Sequence, residues 1–366
     1  FAKPEIGIQN VSSCTGNHTL HAVGVARAIK YYGGEGVAFS SQGEASTSEG
    51  YVYEALNGAS REELPVIFVV QNNGFGISVP VSQQSANARV SDNYSGLKNL
   101  KIVNVDGTDF VDCYHGMQEA LAHVKTGAGP VLLHAQCIRI GAHSNSDRHE
   151  LYRSNEEIAA AASHDPLEKL RADIISLGIM TEAEIEAAEE ANKAILAEAA
   201  ERAEAAPDPD PETVHEFVLP DAWQPEETAT PTEGDKWKLR EAINETLHSE
   251  FTRNPDTFLW GQDVASKEKG GVFNVTKGME AAFGSGRVFN GPIAEDYIVG
   301  TANGLVRYKP EIRAVIEAAQ FADYVWPAME QIVEMSHDYW RSRGQFSPNV
   351  TLRLSSGGYI GGGLYH

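Results

Sequence analysis

A single carboxylate, Glu44, sits in the stretch FSSQGEASTSEG, where an apolar run ends and a helix-like segment begins. Asn72 and Asn73 follow after an interval that holds one helical pattern and one strand pattern, long enough for a parallel crossover. Glu44 and Asn73 are therefore expected at the carboxyl ends of neighbouring parallel strands, the edge where open α/β sheets bind ligands. One carboxylate, one amide oxygen and a nearby backbone carbonyl form an all-oxygen set suited to magnesium, which completes its octahedron with phosphate oxygens and water. Ser46, Thr47 and Ser48 are available as caps for the following helix, whose amide-rich N-terminus would face the same spot. Such an arrangement could hold a metal-bound diphosphate. An Asn-Asn-Gly turn beside a helix-capping loop accounts for the same residues with no ligand at all.

The elements that must position these residues are legible in the surrounding pattern. From Leu20 to about Ser154, helical periodicity alternates with short buried-strand runs, which argues for a parallel, doubly wound α/β sheet. TLHAVGVARAIKYYGG reads as a helix, GVAFSS as a strand, EGYVYEALNGASREEL as a helix and PVIFVVQ as a strand. NLKIVNVDG, FVDCYHGMQEALAHVKTG and PVLLHAQCIRI then read as strand, helix and strand. Residues 155 to 206 turn rich in Ala and Glu and read as two helices with a break near Gly178 and Thr181. The Pro-rich, acidic stretch that follows reads as a linker. A second α/β pattern begins with the helix KWKLREAINETLHSEFTRNP and the strand TFLWGQDV. It continues through AVIEAAQ, the helix WPAMEQIVEMSHDYWRSRG and the strand NVTLRLSS. The expected division is a domain over 1–206, a linker over 207–235 and a second domain over 236–366.

A chain of 366 residues is long enough for two such cores. Lys and Arg total 29 against 51 Asp and Glu, and a net charge of -22 repels a polyanion, so nucleic acid is not an expected partner. The cysteines Cys14, Cys113 and Cys137 have neither disulfide nor zinc spacing and fit a reducing compartment. No apolar run approaches the ~18 residues of a membrane span, so no membrane is expected. The first residues show no secretory pattern and no initiator Met, and the chain closes in the glycine-rich GGYIGGGLYH; truncation at both ends is the expectation.

GEASTSEG, followed after a helix and a strand by NNGFGISVP, resembles the thiamine diphosphate signature of the decarboxylating component of 2-oxo acid dehydrogenase complexes. RIGAHSNSDRHELYR resembles that family's Gly-His-Ser-x-Ser-Asp loop with its closing Tyr-Arg, and the Ala/Glu helices resemble the end of the same α subunit. Beyond the linker, LREAINETL, GQDV, VTKGM, PIAED, QFADYVWPAMEQIV and GGGLYH resemble the opening of the β subunit, in order. The resemblance covers nearly the whole chain and places both subunit types in one polypeptide.

The resemblance implies residue roles. Glu44 and the Asn73 side chain would bind Mg2+, with the Phe75 carbonyl as third ligand. Ser13, Ala45, Ser46 and Gln71 would lie along the thiamine diphosphate, and Ile77 would be the bulky residue that keeps the cofactor bent. His143 would stand beside the diphosphate and the reacting carbon. Glu295 would bond the aminopyrimidine nitrogen, Tyr324 would flank that ring, and His366 would face substrate and acyl acceptor. The short apolar stretch before Glu295 is expected to keep it dry, and a carboxylate bonded to the pyrimidine favours the tautomer able to act as base. His143, near neutral in reference pKa, could stabilise an alkoxide or pass a proton; without the motif it would read as a surface-loop histidine. His115, His123, His134, His149 and His337 read as ordinary helix or strand residues.

The implied activity is oxidative decarboxylation of a 2-oxo acid, with acyl transfer to the lipoyl group of a dihydrolipoamide acyltransferase. The implied assembly is a homodimer of fused chains, in the bacterial cytoplasm or, in a eukaryote, the mitochondrial matrix. Glu44 in place of the commoner Asp favours branched-chain 2-oxoisovalerate over pyruvate, while Gln71 stands where branched-chain relatives can carry a phosphate-binding Arg. Ser144 sits where some mitochondrial relatives are phosphorylated. Two other readings remain: a transketolase-like carboligase sharing the cofactor site, and a cofactor-free homologue or inactive fragment.

Overall fold

The computed structural model describes residues 2–220, 234, 236–266, 269–318 and 321–356. The first part runs α1 (His18–Tyr31), β1 (Ala38–Gly43), α2 (Gly50–Glu62), β2 (Val66–Asn72), a small hairpin of β3 (Phe75–Gly76) and β4 (Val79–Pro80), β5 (Lys101–Asp106), α3 (Phe110–Lys125) and β6 (Val131–Gln136). Its main sheet has the order β1-β2-β6-β5 with every pairing parallel. The alternating side chains of β2 and β6 divide between two cores. Phe68, Val70 and Leu132 pack with α1 and α2, whereas Ile67, Val69 and Leu133 pack with α3. Helices on both faces make the sheet doubly wound, as expected. The β1–β2 register sets Gly43 beside Gln71, so Glu44 and Asn73 leave the sheet at the same edge.

The Ala/Glu segment forms three helices, not two: α4 (Asn155–Ala162), α5 (Pro166–Ser176) and α6 (Glu182–Glu204). The extra break comes at Asp165, whose carboxylate caps the Leu167 amide while Pro166 takes the first helical position, where its missing N–H costs nothing. The anticipated break at Gly178 and Thr181 is present, with Thr181 and Glu184 forming a reciprocal capping box.

The second part runs α7 (Leu239–Arg253), β7 (Thr257–Gly261), α8 (Met279–Phe283), β8 (Val288–Asn290), α9 (Glu295–Val306), β9 (Arg313–Glu317), α10 (Met329–Arg341) and β10 (Val350–Arg353). Its sheet, also parallel, has the order β10-β9-β7-β8. The pattern NGLVRYKPEIRAVIE, more charged than a usual small-residue helix, resolves into the end of α9, a turn and β9.

The two parts meet along a seam in which α1 lies against α9, and every residue of α9 from Tyr297 to Val306 is buried. Glycine permits the approach. A Cβ on Gly24 would stand 2.2 Å from the Thr301 carbonyl oxygen, and one on Gly304 would stand 2.1 Å from that of His21. Arg27 crosses this seam. Its Nε and Nη2 donate to the two Glu62 carboxylate oxygens at 2.8 and 3.1 Å, Nη2 also reaches the Tyr297 hydroxyl at 2.8 Å, and Nη1 reaches Thr301 Oγ1 at 3.2 Å. The guanidinium also lies 5.3 Å from the Trp260 ring centroid and 5.1 Å from that of Phe289, within cation–π range.

Candidate active site

Glu44 directly follows β1, with its carboxylate turned inward and the residue only 2% exposed. Its Oε2 accepts the Asn73 backbone N–H at 3.1 Å, while its Oε1 is buried with no hydrogen-bond partner. Burial pushes the carboxyl above its usual range, against the pull of the Asn73 amide and the charge of Arg139. A buried carboxylate oxygen without a partner is costly, and a cation would satisfy it. Asn73 curls back so that its Oδ1 accepts the Phe75 N–H at 3.1 Å, which holds Glu44, Asn73 and Phe75 in one tight turn.

The serines and threonine after Glu44 do not cap α2. Ser46 Oγ donates to the Gly43 carbonyl and Thr47 Oγ1 to the Glu44 carbonyl, both at 2.6 Å, and no side chain bonds the first amides of α2. These hydroxyls instead close a short 3-10 turn over Ala45–Ser48. Ser46 is buried and Ala45 half-buried. A Cβ added to Gly76 would come 2.8 Å from the Ala45 Cβ, so the hairpin lies on Ala45. Gln71 and Ser13 are exposed at the same carboxyl edge. Ser13 belongs to the loop before α1, where Gly16 packs against Ser46 and Val52.

Ile77 is 53% exposed and has φ of 58°, a left-handed conformation that a β-branched residue adopts only under constraint. The constraint is visible. Arg139 donates to the Ile77 carbonyl and to the Tyr152 hydroxyl, both at 2.7 Å, and its guanidinium lies 5.4 Å from the Phe75 ring centroid. The loop carrying His143 is tied to the same group: Asp147 Oδ2 accepts the His143 backbone N–H at 2.8 Å and the Tyr152 hydroxyl at 2.6 Å. Those two bonds hold the Asp147 carboxyl below its usual range. Arg153 adds a bond to the Arg139 carbonyl at 2.9 Å. The His143 side chain itself is exposed. The motif RIGAHSNSDRHELYR contains Arg139, Asp147 and Tyr152, but nothing in its local pattern signals that they tie the loop to the hairpin.

On the other side of the seam, Glu295 opens α9 and accepts the Gln262 side-chain amide at 2.6 Å. The apolar stretch before it does not enclose it: Ile293 is 86% exposed and Glu295 is partly exposed. The raised carboxyls are instead those of the neighbouring acids. Glu54 of α2, whose carboxylate accepts the Tyr297 N–H at 3.0 Å, is pushed up to about 7 by burial and by the charges of Asp296 and Glu295. Asp296 is pushed up to about 6, chiefly by burial. Tyr324 lies in a 3-10 helix over Ala322–Ala328 and is 38% exposed. His366 lies outside the described residues. The structure thus gathers Glu44, Ala45, Ser46, Asn73, Phe75 and Ile77 into one cluster, with the His143 loop tied to it through Arg139. Glu295 borders the seam from the second part. Among the described residues there is no cluster of three or more His, Cys, Asp or Glu able to hold a metal, so the candidate metal set depends on the Asn73 amide and the Phe75 carbonyl. No helix among them is long and apolar enough to cross a membrane.

Residues 2–212 match the family described as the dehydrogenase E1 component, and residues 235–363 match the pyrimidine-binding domain of transketolase. The 3-methyl-2-oxobutanoate dehydrogenase subunit alpha of Mycobacterium tuberculosis is 37% identical over 183 residues, which are 48% of this chain and 50% of the relative. The 2-oxoisovalerate dehydrogenase subunit alpha of Bacillus subtilis is 33% identical over 218 residues, 60% of this chain and 66% of the relative. The pyruvate dehydrogenase E1 component subunit alpha of Zymomonas mobilis is 34% identical over 197 residues, 54% and 55%. The chain spans about half to two thirds of the length of these relatives.

Proposed function

Since the chain belongs to the dehydrogenase E1 component family, we propose that it binds thiamine diphosphate with Mg2+ and takes part in oxidative decarboxylation of a 2-oxo acid. The acyl group would pass to the lipoyl group of a dihydrolipoamide acyltransferase core. The observation that carries this reading is the buried Glu44 carboxylate, with one oxygen bonded to the Asn73 amide and the other without a partner. Glu44, the Asn73 side-chain oxygen and the Phe75 carbonyl are the proposed Mg2+ ligands, a hard oxygen set of the kind magnesium takes. Ser13, Ala45, Ser46 and Gln71 would line the diphosphate arm, and Ile77 would support the bent cofactor from a backbone that Arg139 holds in place.

When bound, thiamine diphosphate supplies the carbon nucleophile and the electron sink that decarboxylation requires. Glu295, oriented by the Gln262 amide, would hold the pyrimidine nitrogen and move its proton, and Tyr324 would flank that ring. His143, on a loop whose backbone Asp147 fixes, would hold or deliver a proton at the substrate oxygen, and His366 would face the acyl acceptor. The proposed domains are a diphosphate-binding unit over 1–206 and a pyrimidine-binding unit over 236–366, joined by a linker over 207–235. The branched-chain substrate is favoured, with pyruvate next.

Calorimetric titration of the chain with thiamine diphosphate tests the reading. Binding should require Mg2+ and should disappear in Glu44→Ala; binding of equal strength with magnesium withheld, or in that variant, would sink it. A panel of 2-oxo acids with an artificial electron acceptor then ranks the substrates.

A further inference from the structure

Two buried polar side chains lie behind the turn that carries Asn73 and Phe75. Asn72 closes β2 and is 1% exposed; His134, on β6, is 2% exposed. The parallel register pairs Val70 with His134 and Asn72 with Gln136, which sets both side chains on the face of the sheet that also carries Phe68 and Leu132. We propose that His134 is a positioning residue: as a hydrogen-bond acceptor it fixes the plane of the Asn72 amide, and through that amide the turn that presents the Asn73 and Phe75 oxygens. The place of those oxygens as metal ligands rests on the functional reading above; the lock on the turn does not.

Donor and acceptor roles follow from the partners. The Gly74 N–H can only donate, and it lies 3.0 Å from Asn72 Oδ1, so the other end of that side chain is the amide nitrogen. Nδ2 meets two acceptors, the Ala88 carbonyl at 3.3 Å and His134 Nε2 at 3.1 Å. An amide nitrogen does not accept, so Nε2 is the bare nitrogen of a neutral imidazole whose proton sits on Nδ1. The surroundings keep the ring neutral. Burial and the charge of Arg89 lower its pKa, against the pull of Asp92, both on the segment whose Val90 and Tyr94 pack in the core on this face. The residues paired with His134 on the neighbouring strands, Val70 and Asn104, carry no charge. From the sequence His134 reads as an ordinary strand residue, because Asn72 lies 62 positions away.

The terminal torsion of an asparagine is close to two-fold, so its amide turns over readily where no neighbour distinguishes oxygen from nitrogen. Here acceptors stand on one side and a donor on the other. Turned over, Nδ2 would face the Gly74 N–H and the oxygen would face two acceptors, all buried, which forfeits the bonds and leaves the groups unsatisfied. The bond at stake shapes the turn: Gly74 is left-handed, with φ of 84°, and the next two amides go to Glu44 and to the Asn73 side chain. The Asn72 carbonyl is gripped from the same neighbouring strand, by the Cys137 N–H at 2.7 Å and Gln136 Nε2 at 3.0 Å. The end of β6 therefore holds both the backbone and the side chain of the residue from which the turn departs. Without the imidazole, Nδ2 keeps only the more distant of its two acceptors.

Two substitutions separate the acceptor from its bulk. His134→Leu fills the space without an acceptor, whereas His134→Gln offers a side-chain oxygen near the place of Nε2 and does not titrate. Amide exchange of the chain without cofactor or metal, read residue by residue, should quicken at Gly74 and Phe75 in His134→Leu by roughly 5- to 10-fold, the scale of one hydrogen bond, and stay within about 2-fold of the native rate in His134→Gln. Calorimetric titration with thiamine diphosphate at limiting Mg2+ should weaken by the same factor in His134→Leu and recover in His134→Gln. A loss of packing alone would quicken exchange at Phe68, Val70 and Leu132 as much as at Gly74, and that result overturns the proposal. So does native exchange at Gly74 and Phe75 in His134→Leu, or a His134→Gln chain that behaves like His134→Leu. Nitrogen NMR of the unaltered chain guards against variants that fail to fold: the His134 ring should be neutral with its proton on Nδ1, and a proton on Nε2 overturns the proposal by itself. A native chain that shows this lock yet binds no thiamine diphosphate would refute the functional reading and leave the lock standing.

Discussion

Arg27 and Glu44 are both buried charged side chains on the first part of the chain, and their surroundings differ in one respect. Arg27 has all three of its guanidinium nitrogens engaged, by the Glu62 fork and the Tyr297 and Thr301 hydroxyls, with aromatic rings on its faces. Burial works against its charge, but Glu62 and Tyr297 more than offset that and hold it charged. Glu44 has one oxygen bonded and the other bare, and its burial is not offset. A buried charge with a complete set of partners belongs to the architecture; one left incomplete within a matched scaffold is poised for something the protein chain does not itself supply. The contrast separates the seam from the site more sharply than burial does, since both side chains are less than a tenth exposed.

The widest test of that contrast is to remove the engaged charge. Arg27→Ala leaves Glu62 with only Arg61 and the Tyr297 hydroxyl as side-chain partners and empties the seam of its cation, and losing one partner of a buried pair costs up to about 3–5 kcal/mol. Urea unfolding of the variant should show a drop of that order, together with loss of amide protection in α1 and α9. A loss below about 1 kcal/mol, the range of an exposed ion pair, would mean that the seam is not the closed interface described.

Much of the framework behind this contrast is legible in the residues. The strand and helix runs, the parallel crossover and the placing of Glu44 and Asn73 at one edge all follow from local periodicity, which packing does not alter. The seam is different. Arg27 sits inside AVGVARAIK as an ordinary helical cation, and its partner Tyr297 lies 270 residues away. No local period encodes such a contact; the only trace is the row of small residues, Gly24 and Ala28 on α1 and Gly300 and Gly304 on α9. Ile77 was placed as a cofactor neighbour by resemblance, but its left-handed backbone runs against the preference of a β-branched residue and depends on Arg139, 62 positions on. The apolar run before Glu295 misled for a related reason. It is apolar in sequence, yet the chain turns Ile293 outward.

A smaller effect is expected where the site is tied to its loop. Tyr152→Phe removes the hydroxyl shared by Arg139 and Asp147, a hydrogen bond worth about 0.5–1.5 kcal/mol. Because these bonds join a partly exposed loop to the hairpin, the loss should show as faster amide exchange around His143 with little change in global unfolding. An equal loss of global stability would place the loop in the architecture, on the Arg27 side of the contrast.

The last expectation reverses the sign. Glu54, like Glu44, has burial that its partners do not offset, and its carboxyl is pushed from an ordinary 4.5 up to about 7. A carboxyl raised on folding contributes stability that is fully present below about 4.5 and is lost as pH rises through about 7, because the folded state binds the proton more tightly than the unfolded one. Glu54→Gln keeps the shape and removes the titration. Where Arg27→Ala destabilises at every pH, Glu54→Gln should match the native chain in acid and exceed it above neutrality by a small margin, with the gap opening across that window. Glu44→Gln should behave alike in direction, its carboxyl being raised by the same cause. Thermal unfolding of the three variants across pH, without added cofactor or metal, reads the difference. A Glu54→Gln chain less stable than its parent above neutrality would show that the carboxylate is a structural partner of the Tyr297 amide, and the division between completed and uncompleted charges would fail at an acid that touches the seam itself.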